Sequence, residues 1–280
     1  MVDEETFNRF IEDVERVPAT PSLLLKLVPL VKDPEVFVDD IVKLVSLDPG
    51  LSADLLKTVN SARFAGREPS KTVHCAISRL GVAESYRVLS LVVCRALYEP
   101  AHGEQEPDLA KTRWKHAVAT GIGASHFFEM TGQDGMEGFV AGLLHDLGKV
   151  ALGEAFGDIY TCLSKRSREE GRSLISTEIE LLGFSHAHAG AKLLTRWGLS
   201  SECIRAVANH HSEHLTQADT LAAAVILGDS TAHFLGYADE RSLLDLRLMS
   251  VAFEILGLNR KSLRESIPII QERVEKYDDI

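Results

Sequence analysis

The chain has 280 residues, of which 41 are Asp or Glu and 30 are Lys or Arg, so its formal net charge is −11. This acidic balance argues against a nucleic-acid partner, because a groove for the phosphate backbone needs Lys and Arg in excess. The 45% of hydrophobic residues is ample for a packed core, while no apolar run approaches the roughly 18–20 residues that span a bilayer.

Helical periodicity is found along almost the whole chain. In the segment 21–33, apolar residues recur at Leu24, Leu27, Val28 and Val31, which is the spacing of one buried helical face. No segment alternates steadily between apolar and polar residues, so strands are not expected and the sequence predicts an all-α protein. The predicted helices after this first one are 38–47, 51–61, 72–80, 84–97, 110–130, 136–148, 155–170, 173–182, 186–197, 201–211, 218–235, 242–256 and 260–276.

One polar segment, 98–110, interrupts this pattern and contains two prolines, which disfavour helix at and just before their positions. The chain is also longer than the usual domain size of roughly 100–150 residues. We therefore predict a two-lobed protein that divides near residue 105. The N-terminal lobe, 1–105, is expected to be a helical bundle, and a second helical lobe is expected over 106–280.

The cysteines and the N-terminus indicate the compartment. The four cysteines show no CxxC spacing and sit in apolar, helical contexts, so they are expected to be reduced. The chain begins with an acidic segment that has no apolar stretch of the kind found in secretory leaders. We therefore expect a cytoplasmic protein. The cysteines are Cys75, Cys94, Cys162 and Cys203.

Histidine is distributed unevenly. Nine of the 11 His lie between residues 116 and 233, where an even spread would place about 4.6. This excess indicates metal or proton chemistry in the second half of the chain. The nine are His116, His126, His145, His186, His188, His210, His211, His214 and His233.

The most distinctive local segment is GLLHDLGK at 142–149. Burial of His145 and Asp146 among leucines costs free energy unless the two are paired or bind a metal. Gly148 is expected to end the helix, which would place the pair at its last turn. On its own, the pair favours a satisfied structural polar pair over a metal site.

Further ligand-type side chains lie in or beside separate amphipathic helices. Helical folds build inward-facing metal sites in this way. Imidazole with carboxylate suits Fe, Mn, Zn or Ni better than Ca, and the set is large enough for two cations bridged by one carboxylate. His126, His188, His214 and His233 are expected to lie outside it. Its members besides His145 and Asp146 are His116, His186, His210, His211 and Asp229.

The order of His116, His145-Asp146 and Asp229 resembles the signature of the HD superfamily of metal-dependent phosphohydrolases. The rest of the chain is similar to the HDOD domain, the HD-related output domain of bacterial signalling proteins. The similarity extends over roughly residues 15–235 and implies that the second lobe is HD-like. It rests on VPATPSLLLKLVPLVKDPE, VSLDPGLSADLLKTVNSARFAG, RWKHAVAT and LLGFSHAHAGAKLLTRWGLS.

The resemblance extends in part to the HD-GYP branch. Lys149, His186 and the His210–His211 doublet match its wider residue set. Lys149 lies four residues after His145, a position that suits either an ammonium bound to a phosphate oxygen beside the cations or a solvated lysine near a helix end. The segment after the doublet, HHSEHLTQAD, lacks the Gly-Tyr-Pro motif. A cyclic-di-GMP phosphodiesterase is therefore not expected.

Three functions follow from the resemblance. The first is a regulatory signalling protein that keeps an HD-type metal site and binds a protein partner or a phosphate-containing small ligand. The second is a metal-dependent phosphohydrolase in which Asp146 bridges two cations and Lys149 neutralises developing charge. The third is a di-iron sensor of redox state or oxygen.

Two divalent cations are expected, with Fe or Mn favoured and Zn or Mg as alternatives. Their ligands would be His116, His145, Asp146, His186, His210, His211 and Asp229.

Overall fold

The structure is a computed structural model that describes residues 26–27, 37–64, 66, 68–98, 107–237 and 245–277. Every regular element in these ranges is an α-helix, which confirms the all-α prediction. Most of the predicted first helix and most of the predicted linker fall outside the described residues. Within the described ranges, no helix is both long and apolar enough to cross a membrane.

One compact unit consists of Ala19–Ala96 together with Glu275–Ile280. Its helix α2 begins where Asp48 caps it, since the Asp48 side chain accepts a hydrogen bond from the backbone N–H of Leu51 at 3.1 Å. After α2, the Asn60 amide bonds both backbone groups of Ser70. The helices of this unit are α1 (Val38–Ser46), α2 (Pro49–Val59), α3 (Val73–Leu80) and most of α4 (Val82–Tyr98).

The second unit includes Leu97–Val274 and contains the clustered histidines. The predicted boundary near residue 105 lies outside the described residues, so the domain limits stay a prediction. The helices of this unit are α5 (Pro107–Met130), α6 (Gly135–Leu144), α7 (Leu147–Phe156), α8 (Asp158–Glu170), α9 (Leu174–Leu182), α10 (His186–Trp197), α11 (Ser201–Asn209), α12 (Thr220–Phe234), α13 (Leu246–Leu256) and α14 (Arg260–Glu275).

Glycines let α5 approach two other helices closely. A Cβ atom added at Gly123 would lie 2.8 Å from the Cα of Gly228 on α12. One added at Gly142 on α6 would lie 2.8 Å from the Cα of Gly121. Both distances are below ordinary van der Waals contact, so any side chain here would force the helices apart. This packing brings the polar residues of α5, α6 and α12 together.

The predicted single helix 136–148 is two helices, and the expectation that Gly148 ends it is wrong. Helix α6 ends at Leu144, and α7 begins at Leu147, so His145 and Asp146 form the junction. Gly148 is the second residue of α7. The physical reason for a glycine is contact with α10, because an added Cβ would overlap the carbonyl oxygen of His186.

Candidate metal centre

The ligand-type residues of the second unit come from separate helices or helix ends. His145 and Asp146 lie between α6 and α7, and His186 is the first residue of α10. The others are His116 on α5, Asp229 on α12, and His210 and His211, which follow α11. The fold therefore gathers residues that are up to 113 positions apart in sequence (229 − 116).

Asp146 stands between two groups of histidines. Its Oδ1 atom is 3.4 Å from His186 Nε2 and 3.6 Å from His210 Nε2. Its Oδ2 atom is 3.3 Å from His145 Nε2 and 3.6 Å from His116 Nε2. Each carboxylate oxygen thus faces its own pair of imidazoles, which is the arrangement of a bridging carboxylate.

Each group has a further member. Asp229 Oδ1 lies 3.2 Å from His116 Nε2, and we call His116, His145 and Asp229 the first set. The ring centroid of His211 is 4.1 Å from that of His210 and 5.2 Å from that of His186. We call these three histidines the second set. One ligand atom from each residue of the second set and from Asp146 lies within 4.8 Å of all the others.

The second nitrogen of two imidazoles fixes their tautomer. His145 Nδ1 lies 2.7 Å from the carbonyl oxygen of Gly142, and His210 Nδ1 lies 2.6 Å from that of Val207. A carbonyl only accepts, so Nδ1 donates and the lone pair of each neutral imidazole is on Nε2. These lone pairs point toward the oxygens of Asp146. Two acceptors that face each other repel unless a cation or a proton lies between them.

Several buried atoms at the centre make no hydrogen bond, namely Oδ1 of Asp146, Oδ1 of Asp229, and Nε2 of His186 and His210. Each unsatisfied buried polar group costs about 1–3 kcal/mol. Two atoms that bind one cation at about 2.1 Å lie about 3.0–3.4 Å apart in tetrahedral or octahedral geometry. The observed separations of 3.2–3.6 Å are close to this range, so the residues fit a pair of divalent cations.

The electrostatic surroundings of four residues at the centre favour the protonation states that a cation needs. His186 is different, because burial lowers its pKa but the Glu178 carboxylate outweighs burial and raises it. Burial raises the pKa of Asp146, but the charges of His145 and Lys149 hold it well below its usual range. Burial likewise raises the pKa of Asp229, and the neighbouring imidazoles of His116 and His233 outweigh it. Burial lowers the pKa of both His210 and His211. Ionised carboxylates and neutral imidazoles are the ligand forms that bind metal.

Lys149 lies beside the same carboxylate. Its Nζ atom is 2.8 Å from Asp146 Oδ2, and only 7% of the residue is exposed. A buried ammonium is costly to desolvate and needs an anionic partner. Asp146 supplies that partner through Oδ2, the same oxygen that faces His145 and His116.

The sequence analysis did not identify Glu178. Its carboxylate orients the His186 ring through Nδ1, the nitrogen that does not face Asp146. Its Oε2 atom accepts hydrogen bonds from the His186 backbone N–H at 2.9 Å and from His186 Nδ1 at 2.8 Å. Its Oε1 atom accepts from the Tyr160 hydroxyl at 2.6 Å. The signal was present in α9, because Glu178 shares the spacing of the buried Leu174 and Leu182. A carboxylate on an apolar face indicates a buried partner.

The four histidines expected to lie outside the metal site have different environments in the structure. His188 Nδ1 lies 3.0 Å from the hydroxyl of Ser185, the N-cap residue of α10, while His126 Nε2 lies 2.9 Å from the Ser266 hydroxyl. His214 is exposed. His233 lies beside the centre, with its Nε2 atom 3.3 Å from Asp229 Oδ1. The four-residue spacing of Asp229 and His233 on one helix was the available signal.

We expect Glu178→Gln to weaken the binding of the cation near the second set by about 10–100-fold, the usual cost of losing a carboxylate that orients a ligating histidine. Isothermal titration of the metal-free protein with Mn²⁺ measures this affinity. The matched control is Glu180→Gln, because Glu180 lies on the same helix and pairs only with Arg172 at the surface in the described contacts. Equal Mn²⁺ affinities for the two variants would contradict the role of Glu178.

The fold and this cluster define an all-α protein with a buried His/Asp centre. The sequence profile of the HDOD domain matches residues 17–213, so the chain belongs to the HDOD domain family. An uncharacterized protein from Treponema pallidum (strain Nichols) is 29% identical over 201 residues, which are 71% of this chain and 38% of that protein. The chain thus spans less than two fifths of the length of this curated relative.

Two solved structures are similar in fold. A provisionally named signal transduction protein from Marinobacter aquaeolei VT8 matches with a TM-score of 0.76 at 22% identity, over 99% of this chain and 60% of that one. A provisionally named phosphohydrolase from Shewanella amazonensis SB2B matches with a TM-score of 0.72 at 20% identity, over 96% of both chains. At these identities the likeness concerns the fold.

Proposed function

We propose that this chain is a metal-dependent signalling module of the HDOD family, in which two divalent cations bind around Asp146 and hold the phosphate group of a small ligand. A protein partner would respond to the occupied site. The observation that carries the proposal is the position of Asp146, whose two oxygens each face a separate set of histidines. The name of the Marinobacter protein supports a role in signalling.

The donor set indicates which cations would bind. With Asp146 counted, both sets combine imidazoles with carboxylate oxygens, a mixture that suits Fe, Mn or Zn and suits Mg least. Divalent cations at such a site, when bound, polarise phosphoryl oxygens and lower the pKa of water. The chain itself holds the ligands in place, because backbone carbonyls fix His145 and His210 and the Glu178 carboxylate fixes His186.

Lys149 would take part in recognition of the phosphate. Its ammonium is buried at the edge of the cluster and has Asp146 as its anionic partner. Once cations compensate the charge of Asp146, the ammonium can turn to an anionic oxygen of a ligand. The chain therefore offers a phosphate a positive site made of two cations and one lysine.

The test measures metal content first and phosphate binding second. We expect purified protein loaded with Mn²⁺ and desalted to hold about two cations per chain, in accord with the two sets that share Asp146. We expect inorganic phosphate to bind this form and not the metal-free form. Lys149→Ala should weaken phosphate binding at least tenfold, whereas Lys192→Ala, at an exposed lysine of α10, should not. Wild-type protein that takes up no stoichiometric metal would overturn the proposal.

Hydrolysis of a phosphodiester is the second candidate function. It is favoured by the burial of Lys149 beside Asp146, which would place a positive group where negative charge develops on phosphate. The name of the Shewanella protein supports the same chemistry. Bis(p-nitrophenyl) phosphate is a suitable probe. Steady turnover by the Mn²⁺ form that is lost in His145→Ala would make hydrolysis the primary role, and binding without turnover would leave the regulatory role in place.

A further inference from the structure

His233 lies one helical turn after Asp229 on α12, and both side chains reach the same region. The His233 Nε2 atom is 3.3 Å from Asp229 Oδ1. Two ligands four residues apart on one helix commonly bind a single cation, because this spacing places them on one face. The signature of His116, His145-Asp146 and Asp229 does not include His233.

Asp229 Oδ1 lies between two imidazoles. It is 3.2 Å from His116 Nε2 and 3.3 Å from His233 Nε2, and the two rings meet edge-on with their centroids 5.3 Å apart. This oxygen is buried and accepts no hydrogen bond, although both nitrogens are near. Close approach without hydrogen-bond geometry is the same relation that the histidines have to Asp146. It is the spacing of neighbouring ligands around a cation.

The structure contains two triads that share His116: one with His145 and Asp146, the other with Asp229 and His233. The Nε2 atom of an imidazole has one lone pair and can bind one cation only. The two triads therefore describe the surroundings of a single cation rather than two. Within each triad the ligand atoms lie within 4.8 Å of one another, so a cation bound by the shared His116 would have both triads beside it.

We propose that His233 is a third imidazole ligand of the cation at the first set, an inference that rests on the proposed function. The first set then offers the nitrogens of His116, His145 and His233, with one oxygen each from Asp146 and Asp229. The second set also offers three imidazoles and one Asp146 oxygen. The two halves of the centre become alike in nitrogen content.

This nitrogen content sets the choice of metal. Mg²⁺ prefers oxygen ligands and keeps several waters, whereas Fe²⁺, Co²⁺ and Zn²⁺ bind imidazole well and Mn²⁺ accepts it more readily than Mg²⁺ does. A third imidazole leaves fewer positions for oxygen ligands at the first set. His233 therefore favours transition metals over Mg²⁺ at this cation, and its loss should reduce that preference.

The experiment compares wild-type protein with His233→Ala and His233→Gln, with His214→Ala as the matched control at an exposed histidine. Mn²⁺ affinity is measured by titration of the metal-free protein, with and without excess Mg²⁺. Proton NMR of the Co²⁺-loaded protein counts the strongly shifted, exchangeable imidazole N–H signals. The Gln variant can still donate a hydrogen bond to Asp229, but its amide is a weak metal ligand.

We expect both His233 variants to bind one of two Mn²⁺ ions at least tenfold more weakly, to lose discrimination against Mg²⁺ at that cation, and to show one shifted N–H signal fewer. The His214→Ala protein should match wild type. If two cations still bind, wild-type Mn²⁺ affinity in His233→Gln would overturn His233 as a ligand. An unchanged number of shifted N–H signals in both variants would do the same. Wild-type protein that binds no Co²⁺ or Mn²⁺ would overturn the proposed function instead. If a variant fails to fold, wild-type protein still tests the proposal. Six shifted imidazole N–H signals are expected if His233 is a ligand, and five if it is not.

Discussion

Asp146→Asn is expected to abolish the binding of both cations, with affinities at least about 100-fold below those of wild type. One carboxylate faces both sets, so a single substitution removes the shared negative charge, replaces one of the two oxygens with an amide nitrogen that does not bind metal, and leaves the other as a weakly binding amide oxygen. Bound cations stabilise the folded state by about 2.7 kcal/mol for each site at a free concentration 100 times its dissociation constant. The variant should therefore lose the rise in melting temperature that Mn²⁺ produces in wild-type protein.

The metal-free variant carries a separate cost. Asn at position 146 leaves Lys149 buried without its carboxylate, and breaking a buried ion pair typically costs about 3–5 kcal/mol. The double variant Asp146→Asn/Lys149→Met removes both charged partners and should recover much of that loss without recovering metal. Asp158→Asn, at an exposed position of α8, is the matched control. Two Mn²⁺ ions per chain in Asp146→Asn would contradict the bridging position.

The helices were predictable because their buried faces repeat with helical period. Segments such as 110–130 and 201–211 have counterparts close to α5 and α11, since amphipathic spacing reports burial on one side. The break inside 136–148 was not predictable in this way. Apolar residues continue across the junction, and the helix ends at Leu144 because tertiary packing places His145 and Asp146 in the centre.

The candidate site shows a similar limit. The residue types indicated seven candidate ligands, and the fold brings all seven into one cluster around Asp146. Periodicity alone could not decide which oxygen of Asp146 faces which histidine, because that depends on how α7 packs against α10. Glu178 was not named and His233 was set aside, although their spacing from Leu174 and from Asp229 was a weak signal. Each was consistent with an ordinary helical position until its neighbours were known.

Gly148→Ala is expected to be among the most damaging small substitutions in the second unit. The added Cβ would overlap the His186 carbonyl oxygen and lie 2.7 Å from its carbonyl carbon and 2.8 Å from the Gly190 backbone nitrogen. These are main-chain atoms, so relief requires α7 and α10 to separate. Overpacking of this kind costs about 1–3 kcal/mol and sometimes more. Because Asp146 and His186 lie on the two sides of this contact, cation binding at the second set should fall at least tenfold.

Gly190→Ala is the matched comparison, since it lies on the other side of the same contact. Its Cβ would be 3.2 Å from the Val207 Cγ1 atom and 3.3 Å from the Gly148 nitrogen, distances that small shifts can relieve. We therefore expect a smaller loss of stability and near-normal Mn²⁺ binding. Thermal unfolding followed by circular dichroism and Mn²⁺ titration measure the two effects. If Gly148→Ala binds two Mn²⁺ ions as tightly as Gly190→Ala does, close packing of α7 on α10 does not hold Asp146 opposite His186.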